Sequence, residues 1–474
     1  MSTIGTVDDE LAAALSAAEN AARVDDALRV RIDESFAALH DAVGRMPGAT
    51  SAELSALVTA AVVSSHARSL DLRVHGEQRA ARPDRMTSRF ALGAACYADR
   101  FAGNLAGLRD EIPYLRELGV SLLHVQSPFA RRGDGTVDLR RGDPGLGSID
   151  RLTELAAALR LAGISLAVDV AASGSILSFA DDLLFLANRG VEAFIIADRA
   201  VGAVIAPVLA IGAPGVAVLA ASPGSAPLWQ ALATGDAAPL RRAVGRRGGR
   251  ADVAAVRDAD AVVWHEDTDR LTAAYADGLG LPVPGGIAGT AASLAGVGQG
   301  SHLGEARLAL AHAVALSVPG LPVLWLGDEV GALNDETFRD DPDRRDDPRW
   351  VHRGQKPRDR YATRTDAATA AGRIFRDTTK LIAVRHTTPE FDGTTLVGFD
   401  VPAPSVAAWQ RPGADAVVLV LVNAASHPVT IDPVTFSGFA PEASDLVEGV
   451  DVDLGGGLTL PACGFRWLRV SPAA

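Results

Sequence analysis

Acidic and imidazole side chains in or just after short apolar runs are the residues of this chain best suited to chemistry. Asp169 lies in one such run, Asp198 directly follows a second, and His265, Glu266 and Asp267 follow a third in succession. A carboxylate in such a position can attack a substrate covalently or donate a proton to a leaving group. These five side chains are therefore the first candidates for a catalytic or binding site.

Other kinds of site lack the motifs that they need. The sequence has no Cys/His spacing typical of zinc, no glycine-rich phosphate loop and no pattern that predicts a Ser-His-Asp triad. Its two cysteines, Cys96 and Cys463, are too few for a disulfide framework and favour a reducing compartment. We therefore predict that the protein holds no metal and no cofactor.

The composition predicts a globular, acidic protein. Hydrophobic residues make up 48% of the 474 residues and charged residues 22%, and the formal net charge is -13. An acidic surface argues against nucleic acid and anionic membranes as partners. The acidic N-terminus lacks the pattern of a secretory signal, and Gly, Pro or charged residues interrupt the longest apolar runs. We therefore expect a cytoplasmic protein.

The central part of the chain must position the candidate residues, and there apolar runs alternate with amphipathic stretches of helix length. This alternation is typical of a parallel α/β sheet, and we predict a (β/α) TIM-type barrel. The six residues between Ala221 and Leu228 leave no room for a helix and a further strand, so the barrel is predicted to be one strand short. The seven predicted strands are Ala91–Tyr97, Ser121–Gln126, Ser165–Val170, Ala193–Ala197, Val216–Ala220, Ala261–Trp264 and Val323–Leu326.

Two further domains are predicted on either side of the barrel, which is assigned to residues 89–390. Residues 1–88 show helical periodicity and predict an α-helical N-terminal domain. Residues 391–474 contain alternating apolar runs separated by turn residues, a pattern that predicts an antiparallel β-sandwich. Only residues 175–189 separate Val170 from the next barrel strand, which is enough for one helix.

Three motifs give the chain a resemblance to a known family. The segment Trp325–Asp335 resembles the end of the last barrel strand in the α-amylase superfamily, glycoside hydrolase family 13. Cys96–Leu108 and Asp347–Arg353 are most similar to the amylosucrases of that family. The resemblance implies a retaining glycosidase or transglucosidase, which needs two carboxyl groups about 5–5.5 Å apart. The chain looks like a degenerate, truncated member, because the family's domain B after the third strand is missing.

The resemblance places alanines where the family carries its catalytic acids. Ala197 stands at the nucleophile position and Ala221 at the general-acid position, so we assign no catalytic residue. Asp198 lies one residue after the nucleophile position, and a step of one residue along a strand turns the side chain to the opposite face. We therefore expect Asp198 to be a solvated side chain at a strand-to-helix turn.

Five residues remain as candidates for a residual sugar pocket. Asp169 matches the aspartate of the family's third strand, and Arg353 could hold a sugar hydroxyl or an anion. His265 and Asp267 match a His-Asp-Asp motif in which Glu266 replaces the first aspartate. Because barrel sites form at the C-terminal ends of the strands, we expect the pocket there. Its predicted lining residues are Asp169, Ala197, Ala221, His265 and Glu266.

The sequence leaves two functions open. The first is a catalytically inactive, amylosucrase-like protein that binds a sugar or a protein partner, and the loss of both acids favours it. The second is an active transglucosidase or glycoside hydrolase acting on sucrose or α-glucans, with Asp198 as a relocated nucleophile and Glu266 as the acid. The second requires these two carboxyl groups to lie about 5 Å apart in a concave pocket.

Overall fold

The computed structural model describes residues 4–221, 224–247, 252–299 and 302–473. The chain divides into two compact units. The first consists of Met1–Arg85 and Cys96–Ala221, and the second of Met86–Ala95 and Ser222–Ala474. None of the helices in the described ranges has both the length and the apolar surface needed to cross a lipid bilayer.

The first unit begins with the helices that the periodicity predicted. They are α1 (Val7–Ala21), α2 (Asp26–Gly44), α3 (Ser51–Ala67) and α4 (Leu70–Ala80). Thr6, Asp25 and Thr50 precede α1, α2 and α3, and the side chain of each accepts a hydrogen bond from a backbone N–H of the first turn. These side chains satisfy donors that a helix start leaves open, so the local sequence defines where each helix begins.

Strands and helices alternate from residue 93 onward. The strands are β1 (Gly93–Cys96), β2 (Leu122–Val125), β3 (Phe129–Arg131), β4 (Val137–Gly142), β5 (Ser165–Val170), β6 (Ala193–Ile196) and β7 (Ala217–Ala220). The helices are α5 (Ala98–Phe101), α6 (Leu105–Asp110), α7 (Ile112–Glu117), α8 (Ile149–Leu161), α9 (Ile176–Ala187) and α10 (Arg199–Gly212). β2, β5, β6 and β7 pair in parallel in that order, whereas β3 and β4 form an antiparallel hairpin. The single helix predicted after β5 is α9.

Helix α3 lies at the centre of the helical packing in the first unit. It carries apolar side chains on all sides and contacts α1, α9 and α10. A helix that is apolar all round is typical of a buried position, and Leu57 and Val58 are fully buried. Helix α4 approaches the turn after α10 so closely that a Cβ at Gly76 would lie 2.4 Å from the carbonyl oxygen of Pro214. A side chain at position 76 would therefore force these two segments apart.

The second unit contains most of β1 and two further strands of the parallel sheet. The strands that follow residue 222 begin with β8 (Val253–Ala255), β9 (Val262–Val263), β10 (Leu281–Val283), β11 (Gly286–Ala288) and β12 (Leu321–Trp325), of which β8 and β12 belong to the parallel sheet. The helices of the second unit are α11 (Ala226–Thr234), α12 (Ala238–Gly245), α13 (Thr268–Ala276), α14 (Ala291–Ala295), α15 (Gly304–Ser317), α16 (Arg358–Ala362) and α17 (Ala370–Thr387). The strand order of the parallel sheet is β7-β6-β5-β2-β1-β12-β8. The predicted seven-stranded (β/α) barrel is confirmed.

One predicted barrel strand is wrong. The run Ala261–Trp264 contains β9, which pairs antiparallel with β11 in a separate three-stranded sheet. Val263 on β9 is 46% exposed, whereas strands of a parallel barrel are buried on both faces. The parallel strand is β8, which pairs with β12. Its three residues, two of them alanine, form an apolar run too short to stand out in the sequence.

The end of the chain confirms the predicted antiparallel β-sandwich. The strands are β13 (Val397–Gly398), β14 (Val406–Pro412), β15 (Val417–Asn423), β16 (Val429–Ile431), β17 (Glu442–Asp445), β18 (Val450–Asp453), β19 (Leu458–Leu460) and β20 (Phe465–Val470). Six of them form a sheet in the order β13-β14-β15-β20-β17-β18, and β16 pairs with β19. Leu419, Leu421 and Leu468 are fully buried in the core of this region. The polar strands β17 and β18 were not predicted, because their alternation contains few apolar residues.

Candidate functional site

The carboxylate of the third parallel strand, Asp169, is held by one residue on β2 and one just after it. Its Oδ1 accepts a hydrogen bond of 2.7 Å from the backbone N–H of Ser127, and Nε2 of His124 lies 3.4 Å from the same oxygen. Burial raises the pKa of Asp169, but the contact with His124 and the bond from Ser127 outweigh burial and lower it below the usual value. The side chain is 36% exposed, so this fixed, ionised carboxylate remains accessible.

The residues that hold Asp169 were not singled out in the sequence. His124 lies on β2 and Asp169 on β5, and the parallel pairing of these strands brings the two side chains together. Gln126 extends the cluster, with its Nε2 3.1 Å from Nε2 of His124. A histidine within an apolar run was the available signal, but its partner is 45 residues away in the chain.

The chain after β6, the fourth parallel strand, confirms that Asp198 lies at a strand-to-helix turn. Ala197 directly follows β6, and Asp198 is the N-cap of α10. Its Oδ1 accepts hydrogen bonds from the backbone N–H groups of Ala200, at 2.8 Å, and Val201, at 3.2 Å. Aspartate is among the residues preferred at this position, because it satisfies open donors and carries negative charge at the positive end of the helix. Asp198 is thus an exposed side chain at a strand-to-helix turn.

The general-acid position, at the end of the fifth parallel strand β7, carries no carboxyl group. Ala221 directly follows β7 and is partly exposed. The sequence contains no carboxylate between Asp198 and Asp236, so a shift of a few residues in the alignment does not bring one to this place. The chain therefore ends its fourth and fifth parallel strands on methyl groups, which can neither attack a sugar nor protonate it.

His265, Glu266 and Asp267 do not end a barrel strand, which corrects the prediction made for them. They form the exposed connection between β9, in the small antiparallel sheet, and α13. Asp267 has a φ of 51°, in the left-handed region, as the chain turns into the helix. The prediction failed because it rested on Ala261–Trp264 being a parallel strand. These three side chains keep only a proposed role in binding.

Arg353 is placed where its charge is already paired. Its Nη2 lies 2.5 Å from Oδ1 of Asp260 and donates to the carbonyl oxygen of Ala259 at 3.3 Å. The guanidinium also lies over the ring of Trp350, with its carbon 5.2 Å from the ring centre. An incoming sugar or anion would have to compete with these contacts.

The segment behind the strongest sequence resemblance, Gly327-Asp328-Glu329, is buried and hydrogen bonded. The two oxygens of Glu329 accept bonds of 2.7 Å, one from the N–H of Gly327 and one from the hydroxyl of Tyr361. Asp328 pairs with Arg257 at 3.2 Å, and both side chains are almost fully buried. These acids therefore hold the loop after β12 in place and are not available to a substrate.

Comparison with known proteins shows what this fold is similar to. No protein-family profile matches the chain. Amy13B of Eubacterium rectale matches 83% of this chain and 98% of its own, with 13% identity and a TM-score of 0.58. An α-amylase from Anoxybacillus matches 81% of this chain and 99% of its own, with 13% identity and a TM-score of 0.51. A mutant isomaltulose synthase from Erwinia rhapontici, solved with D-glucose, matches 81% of this chain and 99% of its own, with 12% identity and a TM-score of 0.52. The chain therefore has the α-amylase-type barrel fold that its sequence resemblance predicted.

Proposed function

We propose that this chain is a catalytically inactive protein on an α-amylase-type barrel, with a remaining role in binding a sugar or a protein partner. The observation that carries the proposal is the placement of Asp198. It is the acid nearest the nucleophile position, and one of its oxygens accepts two backbone hydrogen bonds at the start of α10. A nucleophile must instead point at the anomeric carbon, opposite a second carboxyl group.

The first expected result is that the protein releases neither fructose from sucrose nor glucose from maltooligosaccharides. Without a nucleophile and an acid, the covalent route is lost together with general acid–base catalysis, which alone is worth ~10²–10⁴-fold. The double variant Ala197→Asp/Ala221→Glu should also remain inactive, because the stretch after β5 carries Ser173 and Gly174 where the family has its amide and imidazole. Both products can be measured by coupled assays over long incubations.

The alternative of relocated acids makes the opposite prediction. If Asp198 attacks the substrate and Glu266 protonates the leaving group, unmodified protein would release fructose steadily from sucrose. Asp198→Asn would then abolish the release, whereas the same change at Asp33, an exposed aspartate of α2, would leave it unchanged. That pattern would replace the proposed function with an active transglucosidase.

Asp169 is the side chain of the proposed sugar pocket whose surroundings best suit a ligand. Oδ1 is held by Ser127 and His124, and the partly exposed carboxylate offers Oδ2 as an acceptor for a sugar hydroxyl. His265, Glu266, Asp267 and Arg353 belong to the second unit and stay predictions: the first three are exposed, and Arg353 is paired with Asp260.

Titration with maltotriose tests this pocket. We expect weak, saturable binding that Asp169→Asn reduces about tenfold, the loss typical of one hydrogen bond to a charged group. Asp33→Asn removes the same charge from the same unit and serves as the control. Calorimetry or ligand-observed NMR can measure both affinities. Equal affinities for the two variants would remove Asp169 from the site, and an absence of binding to the unmodified protein would favour a protein partner.

A further inference from the structure

A cavity of about 90 Å³ in the first unit lies among α2, the link between α3 and α4, and the C-terminal end of α10. One water molecule needs roughly 10–15 Å³, so the cavity has room for a small polyatomic ligand. Three arginines from separate elements line it: Arg31 on α2, Arg68 just after α3, and Arg73 on α4. None of these residues belongs to the proposed sugar pocket.

Arg68 is the buried member of this group, and it is only partly used by the protein. Its side chain donates through Nη1 to the carbonyl oxygen of Ala187 and to Oδ1 of Asn188, and through Nε to the carbonyl oxygen of Leu72. Within the described ranges, Nη2 has no hydrogen-bond partner. Burial lowers the pKa of Arg68 to about 10, so the group stays charged at neutral pH. A buried charge that keeps an open donor favours an anionic partner.

The other two arginines also retain donors. Arg73 is exposed, and its guanidinium has no carboxylate partner in the part of the chain that the structure describes. Arg31 donates through Nε to the carbonyl oxygen of Ile211 at 3.2 Å, and its Nη1 lies 4.0 Å from an oxygen of Glu77, too far for a hydrogen bond. Both can therefore turn N–H groups toward a ligand.

The acidic residues of the cavity lining, Asp25 and Glu77, are fewer than its arginines. The carboxylate of Asp25 accepts from the N–H of Leu28 as the N-cap of α2, and Glu77 is exposed to solvent. His66, the remaining ionisable side chain of the lining, has its Nε2 at the carbonyl oxygen of Arg23. The lining thus contains three arginines and two carboxylates, while Glu192 and Asp71, outside the lining, also act on the charge of Arg68.

We propose that this cavity binds a compact oxyanion, either inorganic phosphate or the phosphoryl group of a sugar phosphate. Arginine suits such a ligand because its planar group of N–H donors matches the oxygens of a phosphate. The ligand would bridge α2 and α4 across the link that holds Arg68. This site is independent of the proposed function, since it uses other residues and requires no catalysis.

Calorimetric titration with inorganic phosphate, at an ionic strength held constant with chloride, tests the proposal. We expect saturable binding at one site, weakened about tenfold or more in Arg73→Gln, the change expected for one hydrogen bond between charged groups. Arg109→Gln is the matched control, because Arg109 is an exposed arginine of α6 that does not line the cavity. Arg73 is exposed, and its side chain makes no hydrogen bond or ion pair with the described residues, so its variant should keep the circular dichroism spectrum of the parent.

A parallel titration with glucose 6-phosphate separates the two sources of the phosphoryl group. Tighter binding than that of phosphate would assign the cavity to a sugar phosphate, and weaker binding would assign it to the free anion. The proposal is overturned if the unmodified protein shows no saturable binding. It is also overturned if Arg73→Gln and Arg109→Gln lose affinity equally, since that would indicate attraction to general surface charge.

Discussion

Asp328→Asn is expected to lower the free energy of unfolding by about 3–5 kcal/mol, the cost typical of breaking a buried ion pair from one side. Oδ1 of Asp328 lies 3.2 Å from Nε of Arg257, and only 2% of the aspartate side chain and 6% of the arginine side chain are exposed. The variant leaves the guanidinium buried without its hydrogen-bonded counter-charge. Urea unfolding followed by tryptophan fluorescence measures the loss.

The double variant Arg257→Met/Asp328→Leu provides the control. Replacing both charges with apolar side chains removes the desolvation cost together with the attraction, so it should cost less than Asp328→Asn alone. The methionine can also keep contact with Trp325, whose ring centre lies 4.6 Å from the guanidinium carbon. If the free energy of unfolding of Asp328→Asn lies within about 1 kcal/mol of the parent value, the buried ion pair contributes no more to stability than an exposed pair does.

The second large effect is expected at Glu192, just before β6. Nε2 of His75 and Nη1 of Arg79, both on α4, lie 3.0 and 2.9 Å from its two oxygens, and its side chain is 5% exposed. Arg79 also donates to the hydroxyl of Ser165 at 2.7 Å. Glu192→Gln should cost up to about 3–5 kcal/mol at neutral pH, because it leaves Arg79, whose side chain is only 16% exposed, without its counter-charge.

The pH dependence of this loss follows from the direction of the pKa shift. Burial raises the pKa of Glu192, but the contact with His75 and the charge of Arg79 outweigh burial, and the pKa lies below its usual value. The stabilisation is therefore complete above the unfolded pKa of about 4.3 and disappears as the pH falls through the lower folded value. Unfolding midpoints of parent and variant should converge below about pH 4. A difference that stays constant down to pH 3 would contradict this assignment.

The parts of the fold that could be predicted are those in which neighbouring residues carry the signal. Buried parallel strands are continuous apolar runs, so six of the seven barrel strands could be placed. The placement of Asp198 followed from its position one residue after the strand, where aspartate caps the next helix. The error at Val262–Val263 has the same origin, because a two-residue antiparallel strand and a barrel strand look alike in sequence.

The parts that could not be predicted depend on contacts between distant residues. Nothing near Asp169 in the sequence indicates that His124 holds it, and nothing near Glu192 indicates His75 or Arg79. The segment Gly327–Glu329 illustrates a second limit, since its resemblance to a family of enzymes did not indicate what its acids contact. Its acids are buried against Arg257 and Tyr361, so in this chain they stabilise the loop after β12.

The ion cluster around Glu192 also has a consequence for heat resistance. The hydration of charged groups becomes less favourable as temperature rises, so burying Glu192 and Arg79 costs less in warm water than in cold. The stabilisation from apolar contacts levels off over the same range. The attachment of α4 should therefore weaken less on heating than the apolar packing around α3, and the last contacts to melt in the first unit should be ionic.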